Sequence, residues 1–354
     1  MSLSPTLRSL LTAAGPSGYE TAPAAAFAAA ARTFTDDVAI DVMGSVTARV
    51  PGTAEGAPRV IVVGHIDEIG LIVTHIDDQG FLYFTGVGGW DPQILVGQRV
   101  DVITADGVIP GAVGKKPVHL LKPDDRKKVA ELKELHIDIG AADGDEAKTK
   151  VRIGDVAVIT GEPVELLGDR VISRSMDNRL GAFIALEAAR LVAEAGGAPG
   201  DVIAVGAVQE EITFGGARTS AFSLDPDAAI VVDVTHATDA PGVDVKELGE
   251  HKLGSGAVLE RGSTLHPVVS AGLIETAERE GIDHTLSASA RATGTDADAI
   301  HLSRAGVATG VVSIPLRYMH SPVEMVQLGD IEACAKVIAA WVQTLTPETS
   351  FARG

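Results

Sequence analysis

The chain has 354 residues, of which 45% are hydrophobic, and its formal net charge is -19. An apolar content this high supports a folded core and excludes wholesale disorder, while the length suggests two domains or one domain with a large insertion. The acidic balance repels phosphate backbones and anionic lipids, so we expect neither nucleic-acid binding nor membrane attachment.

The cysteine content and the N-terminal segment indicate where the protein works. Cys334 is the only cysteine, which excludes an intrachain disulfide and fits a reducing compartment. The apolar run near the N-terminus is too short for a signal peptide or a membrane span. We therefore predict a cytoplasmic protein.

The pattern of apolar and polar residues changes near residue 70. Helices are predicted over 3–13 and 21–34, and APRVIVVGHIDEIG (57–70) is typical of a buried strand. From 71 to 164, short alternating segments separated by Gly, Asp and Pro predict a small all-β domain. One charged segment, 123–135, is expected to form a helix that interrupts it.

Beyond residue 170, predicted strands and helices alternate. The strands fall at 201–208, 228–237 and 306–315, and the helices at 177–196, 268–280 and 328–345. Such alternation implies a mostly parallel central sheet flanked by helices. We therefore predict an α/β fold with a catalytic α/β domain formed by 1–70 and 165–354, and an inserted small all-β domain at 71–164.

Candidate functional residues lie where apolar runs stop, since ligands of parallel sheets bind beyond the carboxyl ends of strands. The run VIVVGHID ends in His65 and Asp67, whose side chains share one face of an extended backbone. Asp67 can therefore orient His65, as carboxylates orient metal-binding histidines. The alternative is an ordinary turn that contains a histidine and an aspartate.

Each of three further candidate site residues also has an interpretation without a functional role. Asp233 lies inside a β-branched run, where a buried carboxylate needs a partner or a metal, but it can also cap a turn. His320 follows a strand, a place where a lone histidine is usually a loop residue. Asp177 stands at the start of a helix, where aspartate is a favoured N-cap.

Two adjacent glutamates, Glu210 and Glu211, follow the predicted strand DVIAVGAV. Adjacent side chains at a strand end point in different directions, so one carboxylate can bind a metal while the other acts as a base. The alternative is a pair of solvated turn residues. Taken together, two histidines and several carboxylates without a thiolate suit zinc, cobalt or manganese.

The chain resembles the dinuclear metallo-aminopeptidases, a family that includes glutamyl aminopeptidase and the tetrahedral, twelve-subunit aminopeptidases. The resemblance covers nearly the whole chain. It rests on motifs that occur in order, among them GPSGYE (15–20), GHIDEIG (64–70), GGWDPQILVGQRV (88–100), MDNRLGA (176–182), VQEE (208–211) and IPLRYMHSPVEM (314–325).

This resemblance implies a centre of two divalent ions, zinc or cobalt or manganese, that hold a hydroxide for attack on a peptide. It assigns roles as follows: His65 and Asp233 bind one ion, Glu211 and His320 bind the other, Asp177 bridges both, Glu210 is the general base, and Asp67 orients His65. It also implies removal of N-terminal residues from short peptides. The inserted domain would form homodimers that assemble into a hollow dodecamer.

Some segments depart from the pattern of the family. EEITFGGA (210–217) stands where similar proteins have EEVGLRGA, and ATGTDA where they have Gly-Gly-Thr-Asp. These departures lie outside the implied ligands and bear on substrate preference. Arg317 or Lys252 is a candidate for binding an acidic substrate side chain. The remaining histidines are interpreted as structural, with His236 the least certain because it lies three residues after Asp233.

Alternative functions remain open at this point. A related metal-dependent carboxypeptidase or deacylase would use the same centre. A glycoside hydrolase is disfavoured, because its two carboxylates lie on opposite sides of the bond and because only 4% of the residues are aromatic. A noncatalytic metal-binding assembly protein would not need Glu210 in addition to five ligands.

Overall fold

The computed structural model describes residues 2–353. Its α-helices are α1 (Pro5–Thr12), α2 (Thr21–Ala31), α3 (Pro92–Leu95), α4 (Gly144–Lys150), α5 (Met176–Glu194), α6 (Glu210–Thr213), α7 (Gly215–Leu224), α8 (Val245–Leu248), α9 (Pro267–Glu280), α10 (Ala297–Ile300) and α11 (Leu328–Val342). Its strands are β1 (Val38–Ile40), β2 (Val46–Val50), β3 (Val60–His65), β4 (Gly70–Ile76), β5 (Leu82–Val87), β6 (Arg99–Thr104), β7 (Gly107–Gly114), β8 (His136–Asp138), β9 (Val156–Ile159), β10 (Val164–Glu165), β11 (Arg170–Ser173), β12 (Val202–Ala207), β13 (Ala228–His236), β14 (Ala257–Gly262), β15 (His284–Ser289), β16 (Ala308–Leu316) and β17 (Glu324–Gln327).

A central eight-stranded sheet has the order β1-β2-β12-β3-β13-β16-β14-β15. The four middle strands, β12, β3, β13 and β16, are parallel to one another, which confirms the predicted α/β fold. Strands β1 and β2 extend the sheet on one side by antiparallel pairing, and β14 joins β16 in antiparallel orientation on the other. The sheet is therefore mixed, with a parallel centre.

Helices cover both faces of the sheet because its middle strands are apolar on both sides. In β3, Val60 and Val62 face the layer that contains α5 and α11, while Ile61 and Val63 face the layer that contains α7 and α10. All six residues of β3 are buried. A continuous run of β-branched residues is the pattern expected for a strand covered on both faces.

Two glycines allow α5 to lie directly on the sheet beside the carboxyl end of β3. A Cβ on Gly64 would lie 2.2 Å from the carbonyl carbon of Gly181, and a Cβ on Gly181 would lie 2.4 Å from the carbonyl oxygen of Val232. No side chain fits at such a distance. This close approach brings the first turn of α5 next to the residue that ends β3.

A closed barrel of six strands, in the order β4-β5-β8-β7-β6-β9, lies between β3 and β11 in the sequence. It has its own apolar core, in which Leu71, Phe84, Val102 and Ile137 are buried. The helix predicted over 123–135 is wrong: this segment contains only short 3₁₀ turns, at Asp125–Lys127 and Leu132–Glu134. Most of the segment is exposed, so no apolar face is available to stabilise a longer helix.

A small antiparallel sheet consists of β10 and β11, which follow the barrel strands in the sequence, and β17, which follows β16. Ser173 of β11 pairs with Glu324 of β17, which places Glu324 beside the start of α5. Within residues 2–353, no helix has the length and apolarity needed to cross a lipid bilayer.

Candidate metal centre

The candidate residues collect at one edge of the central sheet. His65 is the last residue of β3, and its register partner in β12 is Ala207, three residues before Glu210. Asp233 lies near the end of the neighbouring strand β13, and His320 follows the end of β16. Because these four strands are parallel, their carboxyl ends meet at the same edge, where ligands bind in open α/β sheets.

A first group of potential ligands consists of His65, Asp177 and Asp233, whose ligand atoms lie within 4.8 Å of one another. Nε2 of His65 is 3.3 Å from Oδ1 of Asp177. Asp233 is buried, and its Oδ1 accepts a hydrogen bond of 2.8 Å from the N–H of Val234. This contact leaves the other oxygen of Asp233 available to a cation.

A second group consists of Asp177, Glu211 and His320, again within 4.8 Å. Nε2 of His320 is 3.3 Å from Oδ2 of Asp177 and 3.5 Å from Oε1 of Glu211. Asp177 thus belongs to both groups and presents one oxygen to each histidine. The two groups of potential ligands therefore share this one carboxylate.

Asp177 does not cap its helix. The N-cap position of α5 is Ser175, which makes no side-chain capping hydrogen bond, and the backbone at Asp177 and Asn178 departs from helical φ and ψ values. The side chain of Asn178 instead accepts a hydrogen bond from the N–H of Gly181 at 2.8 Å. The carboxylate of Asp177 is therefore free of helix-capping contacts and faces the two histidines.

Asp67 is fully buried and lies behind His65. Its Oδ1 is 3.3 Å from Nδ1 of His65, and its Oδ2 accepts a hydrogen bond of 2.7 Å from the hydroxyl of Ser17. It also accepts the backbone N–H groups of Glu210 and Glu211, each at 3.1 Å. Burial opposes ionisation, but His65 and these hydrogen bonds hold the pKa of Asp67 below its ordinary value.

Glu210 and Glu211 diverge from the short helix α6. Glu211 faces His320, whereas Oε2 of Glu210 lies 3.7 Å from Nε2 of His65. A third potential group, formed by His65, Glu210 and Glu211, also lies within 4.8 Å. Both glutamates are therefore close enough to act at the same centre.

The electrostatics of the cluster require a positive partner. Burial, with contributions from Asp233, Asp296 and Glu211, raises the pKa of Glu210 to about 10. Burial and the neighbouring Asp177 raise the pKa of Glu211 to about 7, and burial raises that of Asp233 well above its ordinary value. So many crowded carboxylates are costly unless cations compensate them. Histidine nitrogens and carboxylate oxygens are the donors that zinc, cobalt and manganese accept, so the residues present fit two divalent ions.

Three residues near the centre were not singled out from the sequence. Glu324 accepts the backbone N–H of Asp177 at 3.1 Å and that of His320 at 2.8 Å, and so connects two potential ligands. Ser17 orients Asp67, as described above. Asp296 is buried, and neither of its carboxylate oxygens has a hydrogen-bond partner. The segment HSPVEM contains a carboxylate four residues after His320, which is the one sequence signal for Glu324.

An open cleft leads to the centre from the side of Phe214, Thr235 and Met319. It has a volume of about 460 Å³, and all five potential ligands line it together with Glu210. This size lies in the range of small-molecule sites. A parallel sheet with two histidines and several carboxylates at the base of such a cleft defines a metal-dependent hydrolase.

Comparison with known proteins identifies the kind of hydrolase. A family profile described as M42 glutamyl aminopeptidase matches residues 44–337. The lysyl aminopeptidase of Pyrococcus furiosus is 36% identical over 314 residues, which cover 88% of each chain. The chain belongs to the M42 glutamyl aminopeptidase family, and it is an aminopeptidase that hydrolyses peptides from the N-terminus.

Solved structures agree with this assignment. The TET aminopeptidase of a marine sediment Thaumarchaeota archaeon superposes with a TM-score of 0.91 and 35% identity, and the match covers 96% of each chain. The TET1 peptidase of Pyrococcus horikoshii, which assembles into a tetrahedron or a large octahedral shell, has a TM-score of 0.83 and 31% identity. That match covers 95% of this chain and 98% of the other.

Proposed function

We propose that this aminopeptidase works with two divalent metal ions. His65 and Asp233 would hold one ion, Glu211 and His320 the other, and Asp177 would bridge them. The observation that carries the proposal is the position of Asp177, whose two oxygens each lie 3.3 Å from a different histidine. Bound there, the ions would activate water and polarise the scissile carbonyl as Lewis acids.

Glu210 is the general base in this proposal. Its carboxylate would take a proton from the attacking water and deliver that proton to the leaving amine. The position of Oε2, 3.7 Å from Nε2 of His65, places this group beside the proposed metal ligands. Positive charge at the centre would lower the raised pKa of Glu210, so that the ionised base is present at neutral pH.

Asp67 is a positioning residue for His65. Its contact with Nδ1 leaves Nε2 directed at Asp177 and the centre, and its two backbone hydrogen bonds fix the turn that carries both glutamates. Carboxylates behind metal-binding histidines orient the ring and raise its basicity.

The proposed metal is zinc, cobalt or manganese. The potential ligands are imidazole nitrogens and carboxylate oxygens, which all three ions accept. Among residues 2–353, the single cysteine is Cys334, which is buried in helix α11 against the sheet, so no thiolate competes at the centre.

We further propose that the chain forms homodimers that assemble into a hollow dodecamer and that it acts on short peptides in the cytoplasm. In this proposal residues 71–164 are an inserted domain that mediates oligomerisation, and 1–70 with 165–354 form the catalytic domain. The separate core of the barrel supports such a division. The tetrahedral assembly of the Pyrococcus horikoshii relative supports the assembly.

The test is removal and replacement of the metal. The chelated protein should lose hydrolysis of leucyl-p-nitroanilide, and zinc, cobalt or manganese added singly should restore it, with two ions bound per subunit by elemental analysis. An acetylated peptide should resist cleavage. Cleavage of the acetylated peptide would favour the carboxypeptidase or deacylase alternative, and chelator-insensitive hydrolysis of a glycoside would favour a glycosidase. An Asp177→Ala variant that keeps both ions would contradict the bridging role.

A further inference from the structure

Two recesses of unequal size flank the proposed metal centre. The cleft on the side of Phe214 has a volume of about 460 Å³. The recess on the other side, beside Trp90 and Arg174, has a volume of about 20 Å³. A space of that size holds about one water molecule, whereas the cleft has room for a ligand. Of these two recesses, only the larger cleft has room for a substrate side chain next to the scissile bond.

The larger cleft is lined by uncharged side chains once the residues of the centre are set aside. They are Phe214, Val234, Thr235, Thr293, Thr295 and Met319. His236 also reaches the lining, and no lysine or arginine of the described chain does. The lining thus combines a ring, a thioether and methyl groups with a few hydroxyls.

Three cations outside the cleft already have carboxylate partners. Arg317, a candidate from the sequence for binding an acidic substrate, donates to both carboxylate oxygens of Asp239 at 3.1 and 2.5 Å. Lys252, the second candidate, pairs with Glu250 on the surface. Arg174, in the small recess, pairs with Glu68. None of these cations lines the larger cleft.

A carboxylate close to the cleft is also engaged in hydrogen bonds. Asp298 accepts the N–H and the hydroxyl of Thr293 and the N–H of Gly294, so it holds the loop that borders the cleft. The carboxylates of the centre belong to the proposed ligands and base. The two carboxylate oxygens of Asp296 have no hydrogen-bond partner, but Asp296 is buried and does not line the cleft. Among the described residues, no carboxylate outside the proposed ligands and base lines the cleft, so a lysine side chain there would find no other counter-charge.

A charged side chain that loses water without gaining a partner is strongly disfavoured. We propose, on the basis of the function proposed above, that the larger cleft receives the N-terminal side chain and selects uncharged, mainly apolar residues such as leucine and methionine. Glutamate and lysine are discriminated against, although relatives are named for glutamyl and lysyl activity. Phe214 and Met319 supply the apolar contact.

The first experiment compares leucyl-, methionyl-, glutamyl- and lysyl-p-nitroanilide with one metal-loaded preparation. The kcat/KM for leucine and methionine should exceed that for glutamate and lysine by about 100-fold. Calorimetry should show the same order for binding of the free amino acids. Equal or better turnover of glutamyl or lysyl substrate would overturn the inference while leaving the proposed function intact. Absence of turnover on every substrate would overturn both.

The second experiment introduces a positive charge into the cleft. Met319→Lys places a cation of similar length in the cleft and should raise the ratio of glutamyl to leucyl turnover by about tenfold or more. Met319→Leu is the matched control and should keep the original order. Metal content and melting temperature verify that both variants fold and load. An unchanged ratio in a folded, loaded Met319→Lys protein would contradict the assignment.

Arg218 provides a third test, because it lies in the adjoining recess, which shares Phe214 with the cleft. Arg218→Ala should leave the order of substrates unchanged. If Arg218→Ala instead abolished turnover of a glutamyl substrate that the parent protein cleaves well, the N-terminal side chain would bind in that recess and the inference would be wrong.

Discussion

The backbone N–H of Glu210 donates a hydrogen bond of 3.1 Å to Oδ1 of Asp67, a residue 143 positions earlier in the chain. The same oxygen lies 3.3 Å from Nδ1 of His65. One buried carboxylate therefore holds a proposed metal ligand and the turn that carries the proposed base. A change at Asp67 should affect both.

Asp67→Asn is the direct test of this connection. Asparagine keeps one acceptor oxygen but presents an amide nitrogen to a backbone N–H or to His65, so the ring loses its orientation. We expect metal affinity or activity to fall about 10–100-fold. Metal titration and kcat/KM measure the effect, with Ser17→Ala, which removes only one hydrogen bond to Asp67, as a milder control. Unchanged affinity and activity in Asp67→Asn would rule out the positioning role.

Substitutions of the two neighbouring glutamates should have different effects on metal binding and on activity. Glu210→Gln should retain both metal ions and lose activity by about 10²–10⁴-fold, because an amide cannot accept the proton. Glu211→Gln should lose metal, since the amide is a weaker ligand than a carboxylate. Elemental analysis and kcat for the two variants give the comparison. A Glu210→Gln protein with normal turnover would disprove the assignment of the base.

Glu324→Gln tests a residue that only the structure identifies. The wild-type carboxylate accepts the N–H groups of Asp177 and His320, and glutamine can accept with one oxygen only. An unpaired buried N–H costs about 1–3 kcal/mol, so we expect weaker metal binding and a lower melting temperature. Glu332→Gln, on the exposed side of α11, is the matched control. Equal metal affinity in the two variants would argue against a role for Glu324.

The metal-free protein should lose stability as the pH rises from about 4.5 to 9. Burial and Asp177 raise the pKa of Glu211 from 4.5 to about 7, and the contact with Asp177 raises the pKa of His320 from 6.5 to about 9. Each group binds protons more tightly in the folded state than in the unfolded state, so stability falls through these intervals. Melting curves of chelated protein at several pH values measure this slope.

Addition of metal should reverse that dependence, because the ions bind the deprotonated ligands. The increase in melting temperature on metal addition should therefore be larger at pH 8 than at pH 5. A metal-free melting temperature that rises between pH 5 and 8 would contradict the electrostatic description of the centre.

The buried ion pairs of Glu68 with Arg179 and Arg174 should contribute more to the free energy of unfolding than an exposed ion pair does. Glu68 contacts the buried side chain of Arg179 at 3.2 Å, and Arg174 pairs with its other oxygen. Glu68→Gln leaves two buried cations without their counter-charge and should lower the free energy of unfolding by about 3–5 kcal/mol. Lys336→Ala breaks an exposed pair with Glu332 and should cost less than about 1 kcal/mol. Denaturant unfolding compares them, and equal costs would contradict the argument.

Much of the fold follows from local patterns in the sequence. The buried strands β3, β13 and β16 are mostly apolar runs rich in β-branched residues, and α5 and α11 are long segments with many apolar residues, so these elements can be predicted from the sequence. The segment 123–135 was mispredicted because its charged composition allows a helix but offers nothing for the helix to pack on. Strands β14 and β15 were not predicted, because their partly exposed sequences gain their pairing only from neighbours in the sheet.

The sequence by itself determined the donor types, since histidines and carboxylates placed after apolar runs specify a cation site at strand ends. Only the tertiary structure decided that Asp177 faces both histidines, that Glu324 connects two potential ligands, and that Arg317 is engaged by Asp239. These facts depend on contacts between residues far apart in the chain. Their distances are set by the packing of α5 on the sheet and by strand register, which no local sequence pattern encodes.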